Sequence, residues 1–294
     1  KVGNLYWSGD ARMRFQDKAL TEKDNWDGRI RINVKADVNE STTVNGRLVS
    51  TMKFKDSNDA KVEMDVLNVR HQFGKEAAVT VGRYANMFGN QGGWLYGAKT
   101  FDGAQVQFGL GKFSATVGYG QFNGGSKIKD KDVLYAKGKA DFGVAKLDLN
   151  YIADKDSKAA DRYEIMGAGL VVPVEDFRVF GEYWKNTTAK EYDKAWNAGI
   201  GYGKFIAKKP GTFSIDVAYN DVDQGLYAGK VGSVLGTDAL DYLAKQKNVT
   251  FWNAIAKVAL LKNAYLQAEY AFDVDAKDVK DEDDAWAVSL NYKF

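Results

Sequence analysis

The chain has 294 residues, and 41 lysines and arginines against 39 aspartates and glutamates leave a formal net charge of only +2. This balance argues against a nucleic-acid-binding protein, which needs a basic stripe. The absence of cysteine excludes disulfides and thiolate sites, and the single histidine, His71, excludes a metal site built from two histidines of one chain. We therefore expect no enzyme, no metal and no cofactor. No break in composition divides residues 1–294, so we expect one domain.

The first two segments alternate between apolar and polar residues with a period of two. Odd positions from Leu5 to Phe15 are apolar, as are even positions from Trp26 to Val38, while charged residues take many of the positions between them. Alternation over this length predicts β-strands. Strands of about a dozen residues exceed the usual five or six of globular proteins. They suit a membrane-spanning strand, which needs roughly 9–11 residues.

Similar segments follow to the end of the chain and give sixteen predicted strands, hence an all-β fold. They begin near Asn4, Trp26, Thr42, Ala60, Lys75, Asp102, Lys112, Lys131, Gly143, Ala159, Glu175, Tyr192, Gly211, Lys247, Lys262 and Asp284. The segment Val66–Phe73 alternates poorly and predicts a β-bulge.

The links between these strands alternate in length. Even-numbered links such as Asn39–Ser41 are short, with a tight turn expected at Lys208–Pro210, whereas odd-numbered links such as Asp17–Asn25 and Asp223–Gln246 are long and polar. Short turns on one rim and long loops on the other predict a transmembrane antiparallel up-and-down β-barrel of an outer membrane. A soluble two-sheet sandwich is the alternative.

In such a barrel the apolar face meets lipid and the polar face lines water, since sixteen strands leave an aqueous channel. Aromatic residues near strand ends predict the interfacial girdles. They are Trp7, Trp26, Phe54, Tyr119, Tyr151, Tyr183, Trp252, Tyr270 and Trp286.

Three loops carry further predictions. The third, Tyr84–Phe101, contains Met87, Phe88, Trp94, Leu95 and Tyr96, too apolar for exposure to water, so we expect it to fold inward and narrow the pore. The seventh contains a predicted short helix capped by Thr237 with Leu240, Leu243 and Ala244 on one face. The acidic stretch Asp273–Asp284 is expected to be solvated, with calcium binding as the alternative.

Basic residues cluster on the predicted inward face of the first three strands. They are Arg12, Arg14, Arg29, Arg31 and Arg47, with Lys35 and Lys53 beside them. The competing interpretation is neutralisation by Asp10, Glu63 and Asp65. The third loop contains no acid and one base, Lys99. We therefore expect a modest preference for anions, with this wall, Glu63 and Asp65 included, lining the pore.

Two motifs resemble known families. Trp286, Val288, Leu290, Tyr292 and Phe294 alternate to the end of the chain and resemble the C-terminal assembly signal of bacterial outer-membrane barrels. Gly82-Arg83, the glycine-rich loop and Phe101-Asp102-Gly103 resemble the third-loop region of sixteen-stranded general porins. That resemblance implies a constriction loop, with Arg83, Trp94, Tyr96 and Lys99 at the constriction, and a homotrimer.

The opening stretch Gly3–Phe15 resembles the start of the barrel in OmpM-type porins of diderm Firmicutes. In that family a periplasmic region tethers the barrel to the cell wall, so the resemblance implies a tether only through a region that this sequence does not contain.

The leading hypothesis is a passive diffusion channel for small hydrophilic solutes and ions, whose selectivity depends on pore width and lumen charge. The alternatives are a structural barrel for anchoring or adhesion, and a substrate-specific channel for sugars or anions. We predict no aromatic ladder along the lumen of the kind that a sugar channel would use.

Overall fold

The computed structural model describes residues 3–17, 24–89, 100–123, 130–155, 163–226, 247–277 and 284–294. Sixteen antiparallel strands form one closed barrel in chain order, with β1 paired to β16. The strands are β1 Leu5–Asp17, β2 Asn25–Asp37, β3 Thr42–Lys53, β4 Val62–Phe73, β5 Ala77–Ala85, β6 Thr100–Leu110, β7 Phe113–Asn123, β8 Val133–Asp141, β9 Lys146–Asp154, β10 Glu164–Val174, β11 Phe177–Asn186, β12 Lys194–Gly203, β13 Phe213–Asp223, β14 Asn248–Leu261, β15 Ala264–Ala276 and β16 Ala285–Lys293. A short 3-10 helix spans Gln224–Leu226. Within the described ranges, no helix is long and apolar enough to cross a bilayer.

The predicted sixteen-stranded up-and-down barrel is confirmed, and the largest error in a strand start is at β10, predicted near Ala159 and beginning at Glu164. One link differs from the prediction. The connection between β12 and β13 spans residues 204–212 rather than a tight turn. Thr212 Oγ1 holds this connection by donating to the carbonyls of Ile206 at 2.9 Å and Lys209 at 2.8 Å. The predicted helix of the seventh loop lies outside the described residues.

A β-bulge interrupts β4, at the edge of the segment whose alternation is poor. Arg47 and Leu48 of β3 pair with Val66 and Met64, so Asp65 is the extra residue. After an extra residue, each following side chain of the strand points to the opposite face of the sheet from the one that the earlier alternation predicts. The outward apolar residues accordingly change from even positions such as Met64 to odd positions such as Leu67.

Aromatic rings form a nearly continuous belt on the outer wall at the long-loop ends of the strands. We call this set the aromatic belt: Trp196, Tyr219, Trp252, Phe272, Tyr270, Trp286, Phe15, Trp26 and Phe54. Neighbouring rings lie close, with centroids 5.5 Å apart for Trp196 and Tyr219 and 5.3 Å apart for Tyr219 and Trp252. Trp7 is 55% exposed at the opposite rim. An apolar outer wall edged by aromatic residues is typical of a surface that faces lipid.

The barrel closes between β1 and β16, where the pairing extends to Phe294. Gly9 and Phe294 exchange both backbone hydrogen bonds, at 2.7 and 3.0 Å. The outward row of β16 consists of Trp286, Val288, Leu290 and Tyr292.

Candidate functional site

The inward faces of β1 to β4 form a charged wall, and its arginines make ion pairs across the strands. Arg14 Nη2 lies 2.7 Å from Asp27 Oδ2, and Arg12 reaches the other oxygen of Asp27 at 3.4 Å. Arg31 donates to Asp10 at 3.0 Å, and Arg47 grips Asp65 with two hydrogen bonds of 2.8 and 2.7 Å. We use "charged wall" for Arg12, Arg14, Arg29, Arg31, Arg47, Asp10, Asp27 and Asp65.

Five arginines face three aspartates in the charged wall, so positive charge is in excess. Arg12 and Arg29 are directly opposite each other across β1 and β2. Their Nε atoms are buried and have no hydrogen-bond partner within the described part of the chain. Among the residues that the structure describes, the acid paired with Arg29 is Asp10, at 3.6 Å, and Asp10 binds Arg31 more closely. The arginine side chains are 18–28% exposed, which leaves them within reach of water in the lumen.

Two of the three acids that were expected to neutralise the arginines do so. Asp10 and Asp65 do pair with arginines, whereas Glu63 has no ion pair among the residues that the structure describes. The sequence analysis did not predict Asp27 as a partner of Arg12 and Arg14. Its position beside them depends on the register between β1 and β2, which the sequence does not reveal. Lys35 lies on the same face and pairs with Asp37 at 3.4 Å, and Lys53 lies directly opposite Asp27 on β3.

Arg83 is a correction to the predicted pore lining. It lies in register with Leu67 of β4 and Asp102 of β6, on the outer face that also carries Val81, which is 53% exposed. Its guanidinium binds Asp102 with two hydrogen bonds of 2.6 and 2.7 Å. The motif resemblance suggested a lumen position, but strand parity places Arg83 outside.

An apolar collar lines the inward face near the long-loop ends from β5 around to β16. Its members are buried: Tyr84, Phe88, Phe101, Phe122, Val133, Tyr135, Ile152, Ile165, Trp184, Ala195, Val222, Leu226, Val249, Phe251, Ala271, Ala276 and Ala285. The predicted polar inward face therefore gives way to apolar residues at this level. The lumen does carry aromatic residues, but each of those in the collar is at most 5% exposed, so they form packing rather than a ladder for solutes.

The start of the third loop enters the lumen and packs into this collar. Phe88 is fully buried, with its ring 5.7 Å from that of Tyr135 and 6.2 Å from that of Phe122. Lys137 of β8 donates to Asn86 Oδ1 at 2.7 Å and to the carbonyl of Met87 at 2.9 Å. Its ammonium also lies 4.7 Å from the centre of the Phe88 ring. Residues 86–88 are thus held against the inner wall from the side of β8.

Gly89 continues the same path along the inner wall to β11. A Cβ added there would collide with the carboxylate of Glu182 on β11. The sequence analysis did not predict that Lys137 holds the third loop. A lysine at an inward strand position, opposite an apolar loop, could have indicated this role. Trp94, Tyr96 and Lys99 lie outside the described residues.

Exposure differs among the inward polar side chains. Several inward polar side chains of β9 to β14, such as Asp148, Glu182, Asn220 and Asn253, are at most 5% exposed, in contrast to the arginines of the charged wall. Asn150 donates to Asp148 at 2.6 Å, and Trp184 Nε1 donates to Glu182 at 3.3 Å. Water-accessible inward charges therefore lie along β1 to β4, and also at the ion pair of Arg178 on β11 with Asp216 on β13, whose side chains are 26% and 30% exposed.

The described residues offer little to metal or acid–base chemistry. No group of three or more acidic or histidine side chains within them is arranged to hold a metal ion. Most of the acidic stretch, residues 278–283, lies outside the described residues. His71 is on the outer face, with Nδ1 2.8 Å from Thr42 Oγ1.

Solved structures of outer-membrane proteins share this fold. Salmonella typhi OmpF, in complex with daunomycin, has 14% sequence identity and a TM-score of 0.65, covering 99% of this chain and 97% of its own. A variant of the Rhodopseudomonas blastica porin has 10% identity and a TM-score of 0.65, covering 99% and 100%. The trimer form of Vibrio cholerae OmpT has 12% identity and a TM-score of 0.61, covering all of both chains. No protein-family model and no curated protein matches the sequence.

Proposed function

We propose that the protein is a passive, non-enzymatic diffusion channel for small hydrophilic solutes and ions across a bacterial outer membrane. The observation that carries this proposal is a closed sixteen-stranded barrel with an apolar outer wall and a half-buried charged wall inside. Charged side chains facing inward need water, because burying them unpaired costs several kcal/mol each. The shared fold with OmpF and the Rhodopseudomonas blastica porin supports the proposal.

The constriction in this proposal lies between the third loop and the charged wall. The inward path of residues 86–89 and the low exposure of inward side chains such as Asp148 and Glu182 support it. Solutes then pass beside Arg12, Arg29, Arg31 and Arg47, whose excess positive charge favours anions. We extend the lining to Lys35, Lys53, Glu63 and Asp65, and to Trp94, Tyr96 and Lys99 of the loop.

The surroundings of the channel belong to the same proposal. Outer-membrane lipids cover the apolar wall, one domain comprises residues 1–294, and three copies assemble as a homotrimer. The trimer form of the Vibrio cholerae protein supports the last point. The row Trp286, Val288, Leu290, Tyr292 and Phe294 acts as the assembly signal. The proposal includes membership of the OmpM-type porins, which the likeness of residues 3–15 supports.

Planar-bilayer recording tests the proposal. The purified protein should insert with large, discrete current steps that scale with salt concentration. A barrel with a purely structural role, for anchoring or adhesion, would give no such steps. Competition by sugars or organic anions distinguishes a general channel from a specific one, since only a specific site produces saturable block. Mass measurement in mild detergent tests the homotrimer, and a monomer there would contradict it.

A further inference from the structure

A polar pocket opens on the outer wall just beyond the aromatic belt, at the long-loop ends of β12 to β15. Its volume is about 470 Å³, room for roughly fifteen waters at ~30 Å³ each. We call it the rim pocket, and its lining includes Tyr192, Lys194, Asp223, Asn248, Asp275 and Lys277. Lys194 is two residues from Trp196 on the same face of β12, so the pocket begins about 7 Å beyond the belt. Lipid headgroups lie at this level when the belt marks the membrane interface.

Some of the carboxylates around the rim pocket are already engaged. Asn248 Nδ2 donates to Asp221 Oδ1 and to Asp223 Oδ1, both at 2.7 Å. The backbone N–H of Lys194 donates to the second oxygen of Asp223 at 3.0 Å. Asp193 pairs with Lys185 at 3.5 Å. These contacts hold the floor of the pocket rather than a ligand.

The groups that remain have opposite charges at opposite ends. Lys277 donates to the hydroxyl of Tyr192 at 3.1 Å, and the ammonium groups of Lys277 and Lys247 lie 5.1 and 6.0 Å from the centre of its ring. Lys194 also lines the pocket, so three lysines lie in or beside it. Within the described ranges, the side chains of Lys194 and Asp275 make no ion pair. Asp275 supplies the acidic end of the pocket.

An apolar groove of about 510 Å³ descends the outer wall beside the rim pocket. It is lined by Ala168, Leu170, Val179, Gly181, Tyr183 and Trp196. The two cavities are neighbours on β12, where Trp196 lines the groove and Lys194, two residues away on the same face, lines the pocket. The small residues Ala168 and Gly181 leave the space that the surrounding Leu170, Tyr183 and Trp196 enclose.

We propose that this combined site binds a phospholipid of the ethanolamine class. The phosphate lies among the three lysines, the primary ammonium donates to Asp275, and one acyl chain occupies the groove. A purely anionic headgroup would gain from the lysines but meet repulsion from Asp275. A quaternary ammonium headgroup carries no N–H to donate. The site therefore selects for a phosphate and a primary ammonium in one molecule.

Binding to delipidated protein in detergent, measured by native mass spectrometry, tests this assignment. We expect phosphatidylethanolamine to bind about tenfold more tightly than phosphatidylcholine or phosphatidylglycerol with the same chains. Lys194→Met and Lys277→Met should each weaken binding of phosphatidylethanolamine by about tenfold. Asp275→Asn should remove the preference over phosphatidylcholine while retaining the phosphate contacts.

The matched control is Lys55→Met, because the Lys55 ammonium also lies over an aromatic ring of the belt, 5.7 Å from the centre of Trp26, but far from the rim pocket. Val179→Trp fills the groove without disturbing the pocket, since Val179 is 52% exposed, and it should weaken the lipid but not free phosphoethanolamine. Equal binding of the three lipids, or equal effects of Lys55→Met and Lys277→Met, would overturn the proposal. Free phosphoethanolamine binding as tightly as the lipid would overturn the role of the groove. All these variants lie on the outer wall, so their conductance should stay unchanged, which keeps this test separate from that of the channel.

Discussion

At the seam that closes the barrel, the Phe294 ring covers Gly9, and this contact requires a residue without a side chain. A Cβ at Gly9 would lie 2.7 Å from the carbonyl oxygen of Arg31 and would strike the Phe294 ring. Overpacking of this kind costs roughly 1–3 kcal/mol. We therefore expect Gly9→Ala to lower the free energy of unfolding by about that amount, measured by urea titration in detergent.

Gly138→Ala is the control for this prediction. Gly138 also faces outward from a strand, and a Cβ there would have nothing within 4 Å. Its substitution should leave the unfolding midpoint nearly unchanged. Equal destabilisation by the two variants would show that the Phe294 contact is not the cause.

Lys137 is the residue that fastens the third loop to the inner wall. In Lys137→Met, Asn86 Oδ1 and the Met87 carbonyl lose their donor, and a buried unsatisfied polar group costs about 1–3 kcal/mol. The loop should then sample more than one position, which single-channel recording detects as increased open-channel noise and additional subconductance levels. Lys139→Met removes the same charge from the same face of β8 and should leave the noise at its original level. Matching traces from the two variants would argue against a fastening role.

Among the elements, β4 shows how one extra residue keeps a strand amphipathic. Deleting Asp65 removes the bulge and leaves Met64 and Leu67 on the outside with Val66 between them facing in. This deletion should therefore still fold, although Arg47 loses its partner. Deleting Val69 instead would turn the residues on one side of the deletion to the wrong face. We expect the first variant, but not the second, to show the mobility shift of a folded barrel on unheated gels.

The strands were predictable because a two-residue period and strand length are local properties of the sequence. The same alternation shows that Arg83 lies on the outer face, because it shares that face of β5 with Val79 and Val81. The motif resemblance led to the wrong prediction of a lumen position for Arg83, because a motif does not show which face of the strand a side chain is on. The ion pairs of Asp27 could not be predicted, because they depend on the register between β1 and β2. The extra residue at Asp65 was detectable only as a disturbance of the alternation.

Over the whole barrel, the lumen combines a packed apolar collar near the long-loop ends with water-accessible charged side chains. The apolar collar was hidden from the sequence because alternation fades near the long-loop ends, where Phe101, Phe122 and Trp184 face inward. Their partners come partly from distant loop residues such as Phe88, which no local pattern reveals. What the sequence did show is the clustering of arginines in β1 to β3, and the register places all five on the inward face.

The charge of that wall should set the selectivity of the channel. Replacing Arg29, Arg31 and Arg47 with glutamine leaves two arginines against three aspartates, so the excess charge changes sign. The zero-current potential across a salt gradient should move from a modest anion preference toward cations. The shift should be largest in dilute salt, because the Debye length is about 30 Å at 0.01 M and only about 3 Å at 1 M.

The control removes three lysines from the link between β12 and β13: Lys204, Lys208 and Lys209, all exposed. Their replacement by glutamine changes the net charge equally but acts at the rim, where water and salt screen each charge strongly. Its reversal potential should stay close to that of the unmodified protein. If both triple variants shift the potential equally, net charge rather than the wall determines selectivity. An unshifted potential in the arginine variant, or marked cation selectivity in the unmodified protein, would mean that the narrowest part of the pore lies away from β1 to β4.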